Sequence, residues 1–384
     1  MKVFDTLTKS KISIRPLDKI IRIFVCGPTL YDKCHIGHAR IFILIDLIIR
    51  LLESRNFVPH VIVNVTDIDP KINENNINPD FLFKEFIEDL NRLGISDLLF
   101  AKTTDYVKQA RDLIEILIKR NLAYSVNGNV YLDTSKFKTY GLLSHLSKKD
   151  LEDQRYDIDI NKRNSTDIFL WNTGDYFGSE YKDKFLGDGT PWWHMQDTAV
   201  AMFHFNGNYD MHVGGIDLCY PHHEIILSNL IALSRKQKPV KSWVHVGILD
   251  VGNAKMSKSS GNAIYIRELL KKYDVNTLRL YFYSNDYKEL INFKFSELKK
   301  FDRINDVIRN LVFTSADNYE NEKHHDINHN GNNAKESDTI KKFKGYIEDD
   351  LDTPNALKLF LNIVKQPDKM NDAKKMMEIF GLKY

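Results

Sequence analysis

The chain has 384 residues, a formal net charge of +2, 28% charged and 43% hydrophobic residues, an ordinary globular composition. That length exceeds one compact core and calls for about two to four domains. The near-neutral charge excludes a protein that binds nucleic acid through overall basicity, so any basic surface must be local. Three cysteines, Cys26, Cys34 and Cys219, do not make a disulfide framework. The N-terminus lacks a signal-peptide core, and no segment reaches roughly 18 uncharged apolar residues. The composition therefore predicts a cytoplasmic protein with no membrane partner.

In chain order, the first organised stretch is the apolar run from Ile20 to Val25, broken only by Arg22. It leads through Cys26-Gly-Pro-Thr-Leu-Tyr-Asp-Lys-Cys-His-Ile-Gly-His-Ala-Arg40 into a second apolar run, Ile41 to Leu52. This order predicts a strand, a Gly-Pro turn and a buried helix. The first N–H groups of that helix have no intrahelical partners and favour a bound phosphate. His35 and His38 fall on one face of its first turn, beside that phosphate position. In isolation, a His-x-x-His pair is explained equally well as a helix start.

His60 to Asp67 reads as a second parallel strand, so residues 20–67 form one βαβ unit with ligand groups at the carboxyl ends of its strands. Thr66, Asp67 and Asp69 sit at such an end, where Asp69 reads foremost as a cap. Two amphipathic helices are predicted over 81–90 and 106–119. Asn127-Gly128 is a hairpin signal, and the charged stretch through Arg163 reads as an insertion outside the parallel sheet. Pro191 to Phe203 reads as a loop entering a helix, with Asp197 in its first turns. Tyr209 to Gly215 is a further strand, ending in Gly214 and Gly215, where a nucleotide would approach the backbone closely, with Asp217 placed for ribose hydroxyls.

Trp243 to Val251 predicts another strand, followed by the basic loop Gly252-Asn-Ala-Lys255-Met256-Ser257-Lys258-Ser259-Ser-Gly-Asn262. Residues 263–312 read as helical. Residues 316–337 lack apolar periodicity and read as a mobile linker or loop. His324, His325 and His329 there read as solvated rather than as metal ligands. A final amphipathic helix is predicted with Thr353 as N-cap and Pro354 at its first position.

Taken together, His35-Ile-Gly-His38 and Lys255-Met-Ser-Lys-Ser259 resemble the two ATP signatures of class I aminoacyl-tRNA synthetases. Cys26-Gly-Pro-Thr-x-Tyr-Asp32 and Lys162-Arg-Asn-Ser-Thr-Asp-Ile-Phe-Leu-Trp171 narrow the resemblance to the cysteinyl-tRNA synthetases, over nearly the whole chain. The resemblance implies an α/β fold: a Rossmann-type parallel-sheet catalytic domain with an insertion, followed by an α-helical bundle. The corresponding spans are 1–115 and 186–250 for the two catalytic halves, 116–185 for the insertion, 251–300 for the signature loop and stem-contact region, and 301–384 for a tRNA-binding bundle. It implies activation of cysteine by ATP with Mg²⁺, transfer to the 3′ end of tRNA(Cys), and a monomer. His35, His38, Lys255 and Lys258 carry over as catalytic. Thr29, Gly37, Gly214, Gly215, Asp217, Met256, Ser257 and Ser259 carry over as ATP-binding, and Cys26, Thr66 and Trp193 as cysteine-binding.

The family selects the thiol with a zinc ion held by two Cys, one His and one Glu. Cys26 and His222 match two of these ligands. Asp197 stands where the second Cys is expected, and Ile226, which cannot bind metal, where the Glu is expected. Two outcomes stay open: zinc held by Cys26, Asp197 and His222 with a position left for substrate, or a pocket that reads the thiol by packing and hydrogen bonds. Cys219 reads as a buried apolar residue rather than a replacement ligand. Two other functions remain beside the leading one: the ATP-dependent cysteine ligase of mycothiol synthesis, and a non-catalytic cysteine- or tRNA-binding paralogue. The intact lysine and histidine signatures speak against the latter.

Overall fold

The computed structural model describes residues 1–16, 18–153, 159–173, 181–252, 254–255, 261–322 and 336–384. An N-terminal hairpin, β1 (Lys2–Asp5) and β2 (Ser10–Ser13), precedes the unit β3 (Ile20–Val25), α1 (Ile36–Glu53), β4 (Val58–Val65). Next come α2 (Pro70–Glu74), α3 (Pro79–Arg92), β5 (Leu99–Lys102) and α4 (Val107–Lys119). The insertion holds β6 (Ala123–Val126), β7 (Asn129–Leu132), α5 (Lys148–Asp153), β8 (Ile168–Asn172) and β9 (Thr190–Pro191). Its four strands form their own antiparallel sheet, and the β6–β7 hairpin turns at Asn127-Gly128. The chain then returns through α6 (Trp193–Phe205), β10 (Tyr209–Gly215), α7 (Glu224–Ser234) and β11 (Val240–Val246).

The central sheet runs β11-β10-β3-β4-β5, all parallel. In order of appearance along the chain this is 3-2-1-4-5, the doubly wound order, whose direction reverses between β3 and β10. Ligands in such folds bind outside the carboxyl ends of the strands that flank the reversal. Those ends are Cys26 and Gly214-Gly215. Helix α1 is apolar almost all round because it is covered on both sides. Ile43, Leu47 and Leu51 share one core with Val25 and Val61 of the sheet and with Phe343, Phe360 and Phe380 of the C-terminal helices. Each such fully buried side chain contributes about 1.5–3 kcal/mol.

Past the sheet lie β12 (Leu249–Val251), β13 (Ala254–Lys255), α8 (Ile266–Leu269), α9 (Val275–Tyr283), β14 (Ile291–Phe293) and α10 (Phe295–Glu322). The bundle is completed by α11 (Asp338–Glu348), α12 (Thr353–Ile363) and α13 (Met370–Phe380). No helix among the described residues is long and apolar enough to cross a membrane.

Four expectations are corrected. The stretch 243–251 is two strands, not one. Its chain leaves the parallel sheet at Gly247, where a Cβ would meet Glu289 O at 2.2 Å, and β12 pairs instead with β14. Residues 263–312 therefore also contain a strand. Helix α10 continues to Glu322, into the span read as a linker, because residues 316–322 contain neither Gly nor Pro to stop it. His324, His325 and His329 lie outside the described residues. Finally, Asp352 rather than Thr353 caps α12, accepting from the Asn355 N–H at 3.1 Å. The carboxylate one residue earlier has the reach to the third backbone amide.

Candidate active site

The site grows from the turn after β3. Cys26 N–H donates to Val213 O of β10 at 2.9 Å, which carries the chain across the reversal point. At Gly27 a Cβ would lie 2.0 Å from Asn64 O, so only glycine lets the turn cross the end of β4. Thr29 and Thr66 then form a bridge, with Leu30 N–H donating to Thr66 O at 2.9 Å and Thr66 N–H to Pro28 O at 3.1 Å. The two threonines thus lie side by side at the sheet's ligand end. Asp67 is engaged by its neighbours, accepting from Thr103 Oγ1 (3.0 Å), Thr104 N (2.9 Å) and Thr104 Oγ1 (2.6 Å). Asp69 is the N-cap of α2, accepting from Lys71 N at 2.9 Å.

One half of the site is the start of α1. His35 is its N-cap: its Nδ1 accepts from the Gly37 N–H at 3.2 Å, while Nδ1 of His38 accepts from the His35 N–H at 3.1 Å. The rings face each other at 4.0 Å. Burial lowers both imidazole pKa values, far below the usual range at His38 and less so at His35, where Asp32 and Asp217 pull the other way. Both rings are therefore neutral at pH 7, and with Nδ1 occupied as an acceptor the proton of each resides on Nε2. Each ring keeps one N–H donor, at a helix N-terminus.

Gly214 and Gly215 close the other strand end. A Cβ on Gly214 would meet His223 Cε1 at 2.7 Å, and one on Gly215 would meet Asp217 Oδ1 at 2.5 Å. Packing against the buried His223 ring demands the first glycine, whereas at the second only the end of the Asp217 side chain would have to move. Asp217 is exposed, next to them. Lys255 lies in β13, in register with Asp250 of β12. Met256, Ser257, Lys258 and Ser259 lie outside the described residues.

The second half of the site surrounds the Cys26 thiol. Asp197 Oδ2 lies 3.7 Å from Cys26 Sγ and 3.0 Å from His222 Nε2. Its Oδ1 accepts from Asn64 Nδ2 at 2.7 Å, and Asn64 Oδ1 in turn accepts from Gly27 N at 2.8 Å. Asn64 thereby fixes which carboxylate oxygen faces the thiol. Trp193 stacks on His222 with centroids 4.3 Å apart and planes 6° from parallel. His194 Nδ1 lies 2.8 Å from the other nitrogen of His222. Cys26, Asp197 and His222 are each at least 94% buried.

Three further residues were not singled out by sequence reasoning. His223 Nε2 is 3.0 Å from Cys26 Sγ, and its Nδ1 is 2.8 Å from His245 Nε2. His212 Nε2 is 3.4 Å from the same sulfur. Burial holds His212 and His223 far below the usual imidazole range and His245 at about 4, so these rings are neutral. Burial first, and then the Asp197 charge, push the Cys26 thiol well up, so it keeps its proton. The doubled histidine in Pro221-His222-His223 was the one signal for His223.

Tetrahedral zinc with bonds near 2.0–2.3 Å sets neighbouring donors about 3.3–3.6 Å apart. The 3.7 Å and 3.0 Å separations around Asp197 Oδ2 bracket that spacing. Donor atoms of Cys26, His222 and His223 also lie within 4.8 Å of one another. Cys26, His222 and His223 thus form a buried group that could hold a metal ion. Ile226 is fully buried in the apolar cluster with Phe24 and Trp243 and offers no ligand. Cys219 is buried too, with its thiol 3.6 Å from Leu143 O and its pKa raised to about 12 by burial.

Residues 14–303 match the family model described as tRNA synthetases class I (C) catalytic domain. Cysteine–tRNA ligase of Thermoplasma acidophilum is 36% identical over 331 residues, covering 82% of this chain and 73% of that protein. Cysteine–tRNA ligase of Clostridioides difficile is 34% identical, covering 95% of this chain and 81% of that one. Among solved structures, Mycobacterium tuberculosis methionyl-tRNA synthetase in complex with methionyl-adenylate superposes with a TM-score of 0.65. That match has 13% identity and covers 94% of this chain and 88% of that one, a likeness of fold. With the family model spanning the doubly wound core and relatives at 36% and 34% identity covered over most of their length, the chain belongs to the cysteine–tRNA ligases of class I.

Proposed function

We propose that the chain activates cysteine with ATP and transfers it to tRNA(Cys). A carboxylate oxygen of cysteine attacks the α-phosphorus and pyrophosphate leaves; a ribose hydroxyl at the tRNA 3′ end then attacks the carbonyl and AMP leaves. Neither step needs a side-chain nucleophile. Negative charge developing on the phosphoryl group must be met by positioned donors. The observation that carries this reading is the fixed tautomer of His35 and His38, which turns two neutral rings into paired Nε2–H donors at a helix N-terminus.

In this reading Thr29 and Gly37 contact phosphate beside the two histidines, and Lys255 and Lys258, with Met256, Ser257 and Ser259, meet it from the opposite side. ATP enters with Mg²⁺. Gly214 and Gly215 let the nucleotide lie against β10, with Asp217 toward the ribose. Cys26, Thr66 and Trp193 line the cysteine pocket, and residues 301–384 bind tRNA. Zinc held by Cys26, Asp197 and His222, with His223 the nearest further donor, would supply a soft Lewis acid for the substrate thiolate. Trp193 and His194 orient His222, and Asn64 orients Asp197, whatever the ion. Serine has a harder oxygen at the same place, so a soft acceptor discriminates where size alone would not.

Cysteine-dependent exchange of pyrophosphate into ATP tests the first step, and charging of tRNA(Cys) the second. Exchange without charging would favour the mycothiol-type ligase, and absence of both would leave only a binding function.

A further inference from the structure

Arg40 follows His38 by two residues on α1 and has no place in the reading above. Its side chain is buried, and its guanidinium donates to five backbone carbonyls. Nη1 reaches Gly247 O (2.8 Å) and Ile248 O (3.3 Å). Nη2 reaches Asp286 O (3.0 Å), Tyr287 O (3.2 Å) and Glu289 O (2.8 Å). Burial draws its pKa down to about 10, so the charge is kept at neutral pH.

The two segments it joins are the leads into β12 and β14, whose parallel register begins at Leu249 and Ile291. Their backbones touch directly. Gly247 N–H donates to Tyr287 O at 2.8 Å, and a Cβ at Gly247 would meet Lys288 O at 2.6 Å. Carbonyl oxygens crowded at one point repel one another. A planar, five-donor cation is the side chain that satisfies them together.

Strand β12 runs on through the turn at Gly252 into β13 and Lys255. Past the basic loop, Ile36 N–H donates to Ile264 O at 2.8 Å and Ile266 N–H to Cys34 O at 3.1 Å. Both roots of that loop are thus fastened to the helix that carries His35 and His38, the outgoing root through Arg40. We propose that Arg40 is a positioning residue, setting the strand that bears Lys255 against the His35–His38 donors. This rests on the reading that Lys255 meets the phosphates.

The test is a double-mutant cycle on the full chain, read by cysteine-dependent ATP–pyrophosphate exchange. Lys255→Ala is expected to lower kcat roughly hundredfold, the usual loss for one charge-stabilising donor. Arg40→Met is expected to lower kcat to a similar degree with the KM for cysteine unchanged. In that background Lys255→Ala should cost no more than about threefold further, since a misplaced lysine has little left to lose. Arg40→Lys should recover only part of the loss, because one ammonium does not span both segments. If Lys255→Ala exacts its full factor in both backgrounds, or Arg40→Met raises the KM for cysteine as much as it lowers kcat, the inference is overturned and the reading of Lys255 stands. If Lys255→Ala alone changes nothing, that reading fails and takes the inference with it. Should Arg40→Met not fold, Gly247→Ala, which wedges the same two segments apart with Arg40 in place, replaces it in the cycle under the same expectation.

Discussion

Asp197 faces His222 across 3.0 Å, its Oδ2 toward Nε2, while its Oδ1 is held by Asn64. A carboxylate so oriented has one oxygen committed to Asn64 and the other turned toward His222 and Cys26, the two side chains it would share a metal ion with. Asp197→Ala should therefore abolish stoichiometric zinc uptake. Asp197→Cys, which returns a soft thiolate to the position, should hold zinc at least about tenfold more tightly against a competing chelator. Metal content after chelator dialysis, compared across the three proteins, decides this. Equal retention by all of them would mean that the ion, if taken up, is held elsewhere.

Gly214 lies against both halves of the thiol site. A Cβ there would sit 2.7 Å from His223 Cε1 and 3.3 Å from Cys26 Cβ, and neither neighbour has space to retreat in a fully buried cluster. Gly214→Ala is expected to cost about 1–3 kcal/mol in stability. It should raise the KM for cysteine more than that for ATP, because the added Cβ strikes His223 and Cys26 directly while the nucleotide would meet only the β10 backbone there. Steady-state exchange kinetics would reveal the split, and an equal rise in both KM values would contradict it.

How far the sequence reaches depends on the range of the interaction. The βαβ unit and the pairing of His35 with His38 are legible because a helix start, its cap and its apolar face are all encoded within one or two turns. The strand order and the location of the ligand crevice follow once those units are set in a parallel sheet. His223 was not legible, because its approach to Cys26 joins the end of β3 to the residue before α7, segments 197 positions apart. Arg40 reads as one cation in an apolar helix until β12 and β14 are seen to begin beside it. Those three-residue strands carry too little pattern to be found without their partners. Asp352 and Thr353 are both competent caps, and only the backbone conformation selects between them.

The histidine pair also sets a pH dependence. Unfolded, His35 and His38 titrate near 6.5. Folded, burial holds both lower, His38 by far the more. Below about pH 6.5 the unfolded chain takes up protons that the folded chain refuses, so stability is full above that pH and is lost as the pH falls. The slope is at most ~1.4 kcal/mol per pH unit for each such histidine. His38→Asn retains an acceptor for the His35 N–H but does not titrate. Urea denaturation at pH 7.5, 6 and 5 should show a shallower acid loss for this variant, by up to one proton's worth. An unchanged slope would rule out His38 as a contributor.

Arg279 joins the catalytic helix to the end of the bundle. Its Nη1 pairs with Asp46 Oδ2 of α1 at 2.6 Å, and the same guanidinium donates to Phe380 O (3.2 Å) and Leu93 O (2.9 Å). Both charged groups are buried, and Tyr283 OH adds a bond to Phe380 O at 3.0 Å. The pair is worth little against a well-packed apolar replacement, since desolvation offsets most of the attraction. Breaking it from one side is different, because Asp46 would stay buried and, among the described residues, Arg50 Nε at 2.8 Å would be the remaining cation paired with it. Arg279→Met should then cost roughly 3 kcal/mol, the low end of the range for a broken buried pair. The double change Asp46→Leu with Arg279→Met should recover most of that loss. Urea unfolding followed by helical circular dichroism measures both, and a double variant less stable than Arg279→Met would show that the ion pair itself, not the uncompensated charge, holds α1 to α13.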